Sequence, residues 1–288
     1  MNERMNHGPQ NVHCRIARDS HGHRPAPILP DAATATAALP TLELTLTDTG
    51  FEIAQPLMAG RYEVTVSNTG ASTESHFGLA KIPDAVSDAQ YQEWLDSEEG
   101  ETEALTFEDI AVVGVPDWPA PGGSTSGVVD LAPGKYFLFN PFDGHEARTL
   151  MVEGDAASAT DPTADVAGVL REMEIVLPET AFTSHPVHWK IENTGAISHE
   201  VAVIPVWSDF TDEHLQMLFS LPEDATPPAG VPEFVYQPVA AIGILAGQHT
   251  SWLDVHLKPR RYLAARMLPF GTGYPHAIDG MYHFFDVE

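Results

Sequence analysis

The chain carries one pattern of alternating segments and turns twice, and this repeat constrains its fold more than any other feature. The turn Asn-Thr-Gly at 68–70 recurs at 193–195, 125 residues later, and Tyr136 recurs as Tyr262, 126 residues later. An offset that stays nearly constant over several landmarks indicates two consecutive copies of one structural unit. With 288 residues, the chain is long enough for two units of ordinary domain size.

Both copies have the sequence pattern of β-structure. Thr41–Thr47 and, in the second copy, Glu172–Leu177 alternate in the way that half-buried strands do. The same alternation in Val187–Glu192 places Trp189 in the core. Short strands with many Pro and Gly turns are typical of Greek-key sandwiches, and the chain has 24 prolines. We therefore predict an all-β fold of two tandem Greek-key β-sandwiches, each with a short helical insertion.

The helical insertions lie between the middle strands of each copy. Ser87 and Gln90 have the spacing of a capping box, which predicts a short helix that runs to about Asp96. In the second copy, Thr211–Phe219 has an acidic first turn and apolar residues at helical spacing. We expect one short helix in each copy.

Composition sets the boundaries of the two units. Residues 1–40 hold four of the 14 histidines, Cys14 and no apolar periodicity, so we expect a disordered N-terminal tail. We place domain 1 at 41–155 and domain 2 at 169–288. The segment 156–168, rich in Ala, Asp, Pro and Thr, is predicted to link them.

The charge of the chain is strongly acidic, with 41 Asp and Glu against 14 Lys and Arg and a formal charge of -27. Nucleic acids and anionic lipids need a basic surface, so we predict no nucleic-acid partner. The sequence has no apolar run long enough for a transmembrane segment. A single cysteine excludes an internal disulfide and a zinc finger built on cysteines. The partner, a protein or a small molecule, is unknown.

One motif near the C-terminus carries recognisable chemistry. His276 is followed by Met281, between the last two predicted strands, and His199 follows the second Asn-Thr-Gly turn. This arrangement resembles the ligand loop of cupredoxins, the blue-copper domains, and the resemblance covers about 41–288. It implies that His199 and His276 supply two imidazoles and Met281 an axial thioether to copper, a set that a cysteine thiolate completes.

The thiolate is missing from both copies. In the resembled family the cysteine lies four residues after the recurring tyrosine, and those places hold Arg266 and Asn140. Met267 could offer a second thioether, but strand alternation points it away from His276. The first copy retains His76 and His145 without an axial methionine. We therefore expect no resident cofactor, with copper as the candidate if any metal binds.

Three functions stay open at this stage. The favoured one is a non-catalytic binding or scaffold protein whose type 1 copper sites are lost. The second is a copper-binding protein for storage, delivery or sensing, and the third is an enzyme with an unrecognised site between the domains. The paired H-x-H motifs of multicopper oxidases are absent from the two domains, and nitrite reductases need the absent cysteine. His185 and His188 form an H-x-x-H, but on a strand they do not share a face.

The resemblance to cupredoxins and the sequence of the N-terminus lead to different predictions of localisation. Cupredoxin-like domains are typically exported, so the resemblance implies an extracytoplasmic protein. The first 25 residues, however, are interrupted by polar residues and lack the apolar stretch of a signal peptide.

Overall fold

The structure is a computed structural model that describes residues 38–72, 76–97, 102–106, 109–140, 148–156, 159–179, 182–222, 227–267 and 274–288. The predicted tail at 1–40 lies almost wholly outside the described residues, and so does His145. Leu39–Glu288 form one compact unit. The division into domains at 41–155 and 169–288 stays a prediction.

The described residues of the first half form ten strands and one α-helix. They are β1 (Thr41–Thr47), β2 (Gly50–Ile53), β3 (Leu57–Met58), β4 (Gly60–Asn68), β5 (Gly78–Ile82), α1 (Asp88–Leu95), β6 (Ala111–Val113), β7 (Pro116–Asp117), β8 (Ser124–Leu131), β9 (Gly134–Phe139) and β10 (Arg148–Glu153).

The described residues of the second half form eight strands, one α-helix and one 3-10 helix. They are β11 (Val166–Arg171), β12 (Glu174–Val176), β13 (Val187–Asn193), β14 (His199–Pro205), α2 (Asp212–Ser220), β15 (Ala240–Leu245), β16 (His249–Val255), β17 (Arg260–Ala265), the 3-10 helix (His276–Asp279) and β18 (Tyr282–Val287). The fold is all-β, as predicted.

The strand order of the first half recurs in the second. One eight-stranded sheet has the order β12-β11-β13-β16-β8-β4-β1-β2, so β2-β1-β4-β8 is matched by β12-β11-β13-β16. The pairs β1–β4 and β11–β13 are both parallel. The sheet β3-β10-β9-β5-β6 faces the first half of this sheet, and β18-β17-β14-β15-β7 faces the second.

Each half has its own apolar core between its two sheets. In the second half, Trp189 is fully buried and lies 5.6 Å from Phe182 and 5.9 Å from Phe285, measured between ring centroids. This confirms the inward orientation that alternation predicts for Trp189. The first core packs the inward residues of β1, β4 and β8 against β5 and β9.

Both predicted helices are present: α1 begins directly after the predicted cap Ser87, and α2 begins one residue inside the predicted segment Thr211–Phe219. The side chain of Ser87 accepts a hydrogen bond from the backbone N–H of Gln90, and the side chain of Gln90 closes the capping box. Thr211 caps α2 in the same way, with His214 as the third helical residue. Local chemistry fixes these two helix starts.

The first strand of the second half lies six residues before the predicted one. β11 occupies the end of the predicted linker, 156–168, and it pairs with β13 as β1 pairs with β4. The alternating segment Glu172–Leu177 instead corresponds to β12, the counterpart of β2. The short strand β11 was missed because its apolar residues (Val166, Gly168 and Leu170) follow directly on a polar segment.

The landmarks that recur in the sequence make the same hydrogen bonds in both halves. Asn68 Nδ2 donates to Ser72 O and Pro119 O, and Asn193 Nδ2 donates to Ile197 O and Leu245 O. The hydroxyl groups of the two recurring tyrosines each donate to the carbonyl four residues earlier, at 2.9 Å. The two turns and the two tyrosines therefore have the same local hydrogen bonding in both halves.

Candidate functional site

The two candidate histidines of the second half lie side by side in the protein interior. His199 is the first residue of β14, His276 is the first residue of the 3-10 helix, and both are fully buried. Their ring centroids are 5.5 Å apart and their planes are inclined by 69°. Since a metal–imidazole bond is about 2 Å long, this separation is short enough for two imidazoles to bind one metal ion.

The imidazoles of this pair are neutral at pH 7. Burial lowers the pKa of His199 to about 4 and that of His276 to about 4, and the charge of Arg266 adds to both shifts. Among the described residues, none of the four ring nitrogens has a hydrogen-bond partner. Neutral imidazoles with an available nitrogen are in the state that binds metal ions.

Arg266, which the sequence comparison with cupredoxins aligns with the thiolate position, is buried, and its charge acts on both histidines. The residue comes directly after the end of β17, and only 2% of it is exposed to solvent. Its backbone N–H donates to Met281 O at 3.2 Å, and its carbonyl accepts from Ala277 N at 3.0 Å, which ties the strand end to the histidine loop. Burial lowers the pKa of Arg266 to about 10, and Glu200 opposes that shift. Arg266 is therefore cationic at pH 7.

Glu200 supplies the negative charge of the site, and the sequence reasoning missed it. It follows His199 in β14 and is 2% exposed. Its Oε1 accepts a hydrogen bond of 2.6 Å from the backbone N–H of Met267. The sequence feature that could have identified Glu200 is a carboxylate in the otherwise apolar strand His-Glu-Val-Ala-Val-Ile-Pro. The only other polar residue of this strand is His199, the candidate ligand.

The two candidate methionines, Met267 and Met281, belong to different apolar clusters of the second half. Met281 is fully buried in the core cluster around Trp189, and its N–H donates to His276 O at 3.1 Å. Met267 packs against the outer cluster that contains Leu215 of α2. Met281 is therefore hydrogen-bonded to the histidine loop, and Met267 packs against a cluster that includes Ala277 of the same loop, so the predicted orientation of Met267 stays a prediction.

In the first half, the candidate histidine is held by a carboxylate. His76 is 1% exposed, and its Nδ1 lies 2.9 Å from Oδ2 of Asp117, which is itself 2% exposed. The other oxygen of Asp117 accepts from the N–H of Trp118 at 2.8 Å. Asn140 follows β9 and is half-buried. The sequence reasoning missed Asp117, whose signal was an acidic residue in the apolar segment Val-Pro-Asp-Trp.

The two buried carboxylates, Asp117 and Glu200, come from different halves and lie near one tyrosine. Burial raises the pKa of Tyr236 well above its usual range, and the charges of both carboxylates contribute. Strand β7 brings Asp117 to this place by pairing with β15 of the second half. Tyr236 thus lies within the electrostatic influence of a carboxylate from each half.

A cluster of metal-binding side chains and a membrane-spanning helix are both absent from the part of the chain that the structure describes. There, no three residues among His, Cys, Asp and Glu lie close enough together to hold a metal ion. In the same residues, no helix is both long and apolar enough to cross a membrane.

No protein-family model and no curated protein shows significant similarity to the chain. The chain is similar to several solved structures. Dithionite-reduced auracyanin from the photosynthetic bacterium Roseiflexus castenholzii is 18% identical, with 42% of this chain and 94% of that chain covered and a TM-score of 0.28. The copper-containing nitrite reductase of Thermus scotoductus is 12% identical, with 86% and 61% covered and a TM-score of 0.25. A multicopper oxidase is 12% identical, with 85% and 88% covered and a TM-score of 0.21.

The nitrite reductase and the oxidase are copper proteins by name. At TM-scores of 0.21 to 0.28, these similarities assign neither a family nor a function to this chain, whose described residues form an all-β fold.

Proposed function

We propose that the chain is a non-catalytic binding or scaffold protein, built from two tandem cupredoxin-like sandwiches that have lost their type 1 copper sites. The observation that carries the proposal is the buried guanidinium of Arg266 beside His199 and His276. A type 1 centre needs a thiolate there, because the strong copper–sulfur bond defines its redox chemistry. A guanidinium cannot ligate a metal and repels a cation.

The first half supports the same proposal. The Nδ1 of His76 is engaged by Asp117, and an amide, Asn140, stands where the thiolate is expected. With a net charge of -27, the protein favours neutral or cationic partners over anionic ones. An extracytoplasmic setting is part of this proposal and comes from the resemblance.

A second candidate function is favoured by the four unpartnered imidazole nitrogens. His199, His276 and Met281 would hold Cu(I), since soft thioether and imidazole ligands suit that ion. Arg266 would have to leave the space between the ligands, and Glu200 would then offset the charge of the ion. Such a protein would store, deliver or sense copper rather than transfer electrons.

Titration with Cu(I) and Cu(II) separates the two functions. We expect the full chain and His276→Ala to bind the same number of copper ions, all of them at the histidines of residues 1–40, with no intense visible band. The exposed His256 gives the matched control, His256→Ala. Loss of one equivalent in His276→Ala, but not in His256→Ala, would overturn the proposal in favour of the second function.

Substitution of Arg266 tests whether the loop still has the geometry of a copper site. Arg266→Cys removes the repelling charge and adds a thiolate, so we expect one additional equivalent of Cu(II) and an intense visible band. Arg266→Ser removes the charge alone and matches cysteine in size. If Arg266→Cys and Arg266→Ser bind copper equally and without colour, the assignment of Arg266 to the ligand position is wrong.

A further inference from the structure

The segment 159–164, which precedes β11, connects the two halves of the molecule through one carboxylate. Oδ1 of Asp161 accepts a hydrogen bond of 3.0 Å from Arg61 of β4, and Oδ2 accepts one of 3.2 Å from Lys190 of β13. In the eight-stranded sheet, β8 and β16 lie between β4 and β13. A single side chain therefore bridges two cations that belong to different halves.

The two cations flank the ring of Trp252, in β16. Leu253, the next residue, belongs to the core of the second half, so alternation places Trp252 on the outer face of the sheet. The guanidinium carbon of Arg61 lies 4.6 Å from the ring centroid of Trp252, and Nζ of Lys190 lies 5.8 Å from it. Although it is on an outer face, Trp252 is only 1% exposed. The cations and the segment that joins them therefore close this part of the seam.

The attachment of the segment depends on its one carboxylate. Between 159 and 164, where every residue is described, the hydrogen bonds and ion pairs are those of Asp161. Hydrogen bonds from its two cationic partners lower the pKa of Asp161, so it is ionised at pH 7. The segment is next held at Asp165, which makes two hydrogen bonds of 2.8 Å with the backbone of His188.

The bridge can open without leaving a buried charge unpaired. Nε and Nη2 of Arg61 donate to the two oxygens of Asp130, at 2.7 Å each, and this bidentate pair does not involve the segment. The side chain of Lys190 is 29% exposed and that of Asp161 is 55% exposed, so water can solvate both after separation. Opening therefore breaks two ion pairs that solvent ions can reach.

We propose that the segment 159–164 is an ionic latch, closed over the seam at low ionic strength and released at high ionic strength. Release breaks both ion pairs of Asp161, leaves Arg61 bound to Asp130, and exposes the ring of Trp252. Salt has this effect because the Debye length falls from about 10 Å at 0.1 M to about 3 Å at 1 M. The latch does not involve the histidine pair, so it is independent of the function proposed above.

The latch should respond to salt in the opposite direction to the rest of the protein. With a net charge of -27, the folded chain repels itself, and salt favours the compact state because it screens this repulsion. A segment that gains mobility on addition of salt, in a protein that otherwise becomes more stable, is therefore specific evidence for release of the latch.

Electron paramagnetic resonance of a nitroxide on the segment tests the inference. In the full chain with Cys14→Ser, Thr163→Cys places the label at an exposed position. Between about 0.05 M and about 1 M sodium chloride, we expect the ratio of mobile to immobile label to rise roughly threefold to tenfold, since two ion pairs of modest strength are screened. With Asp161→Asn added, the label should be mobile at both salt concentrations.

Two controls separate the latch from general effects of salt and charge. Asp286→Asn removes an exposed carboxylate that pairs with Arg261, and it should keep the salt response of the label at 163. A label placed by Thr49→Cys, in the turn between β1 and β2, should not respond to salt. Matching melting temperatures exclude misfolding of the variants. A label at 163 that ignores salt, or that responds equally with Asp161→Asn and Asp286→Asn, would overturn the inference.

Quenching of tryptophan fluorescence by acrylamide, a neutral molecule, tests the exposure of Trp252. We expect the chain to be quenched more strongly at about 1 M than at about 0.05 M sodium chloride. This gain should be absent from Trp252→Phe, which keeps an aromatic ring between the two cations. An equal gain in Trp252→Phe would show that salt exposes another tryptophan and that the segment does not cover Trp252.

Discussion

At the scale of single residues, the most unusual feature is a buried cation next to two neutral imidazoles. Arg266 is 2% exposed, and removing a charge from water costs several kcal/mol unless an opposite charge compensates. Glu200, also 2% exposed, supplies that charge and raises the pKa of Arg266 against the effect of burial. Since a metal ion would have to compete with Arg266 for this carboxylate, the pair stabilises the metal-free protein.

Removal of Glu200 should therefore destabilise the fold. Glu200→Gln keeps the shape of the side chain but leaves Arg266 buried without its negative neighbour, so we expect a loss of about 3 kcal/mol in the free energy of unfolding. Urea denaturation at pH 7 measures it. Glu192→Gln, at an exposed position of β13, is the control and should change little. A loss no larger than that of the control would show that Arg266 is compensated by other groups.

The buried histidines predict a fall in stability in mild acid. Their pKa of about 4 in the folded protein is below the usual value of about 6.5, so the unfolded chain takes up protons first as the pH falls. The stabilisation is fully present above pH 6.5 and is lost between 6.5 and 4. We expect each histidine to contribute a loss of about 1–2 kcal/mol at pH 5.

Urea denaturation across this range, compared with the variant His199→Gln, tests the assignment. The variant has lost one of the two groups, so its stability should fall less steeply between pH 6.5 and 4. His283, whose pKa burial also lowers, contributes a slope that both proteins share. If the free energy of unfolding falls equally steeply with pH in both proteins, His199 is protonated in the folded protein at pH 5.

At the scale of elements, the asparagine of each Asn-Thr-Gly turn holds two loops together. Asn193 is fully buried, its side chain donates to Ile197 O and Leu245 O, and its Oδ1 accepts from Gly195 N at 3.0 Å. One side chain thus satisfies two carbonyls and one N–H that lie near the start of β14. This turn positions His199 because β14 begins four residues after Gly195.

Asn193→Ala should destabilise the protein by about 2 kcal/mol, because two carbonyls and one N–H lose their partner. Asn68→Ala removes the matching bonds in the first half and should cost a similar amount. Thermal unfolding of both variants measures the losses. If Asn193→Ala leaves the stability unchanged while Asn68→Ala lowers it, the turn stabilises the fold in the first half only.

The elements that could be predicted from sequence are those that local chemistry fixes. The cap residues Ser87 and Thr211 fix the helix starts, and strict alternation gives β1 and the inward orientation of Trp189. Strand β11 depends on parallel pairing with β13, more than 20 residues away, and its own sequence gives no alternating polar residues. The partners Asp117 and Glu200 were missed because their contacts join distant segments.

At the scale of the whole molecule, the two halves meet along a seam that crosses two sheets, since β8 pairs with β16 in one and β7 pairs with β15 in the other. Two residue pairs link β8 to β16, and the hydroxyl of Ser251 donates to the carbonyl of Gly114 across the seam. Arg61 of the first half binds Asp130 and Asp161, and its guanidinium lies 4.6 Å from the ring centroid of Trp252. These contacts predict that both halves unfold together.

The close approach of β8 to β16 depends on Gly127, which has no side chain. A Cβ atom at this position would collide with the carbonyl oxygen of Trp252 and would lie 2.9 Å from Cγ of Pro116. Both neighbours resist displacement, the first because it is backbone and the second because it is a ring. A side chain at 127 therefore forces β8 and β16 apart while it leaves the two cores untouched.

We expect Gly127→Ala to lower the stability by about 1–3 kcal/mol and to separate the unfolding of the two halves. In differential scanning calorimetry the parent chain should give one transition and the variant two, because each half keeps its own core. Ser124→Ala, at an exposed position of the same strand, is the control and should keep one transition. A single, unshifted transition in Gly127→Ala would mean that the halves are coupled through the interior around Tyr236 and Asp117 rather than through the sheet.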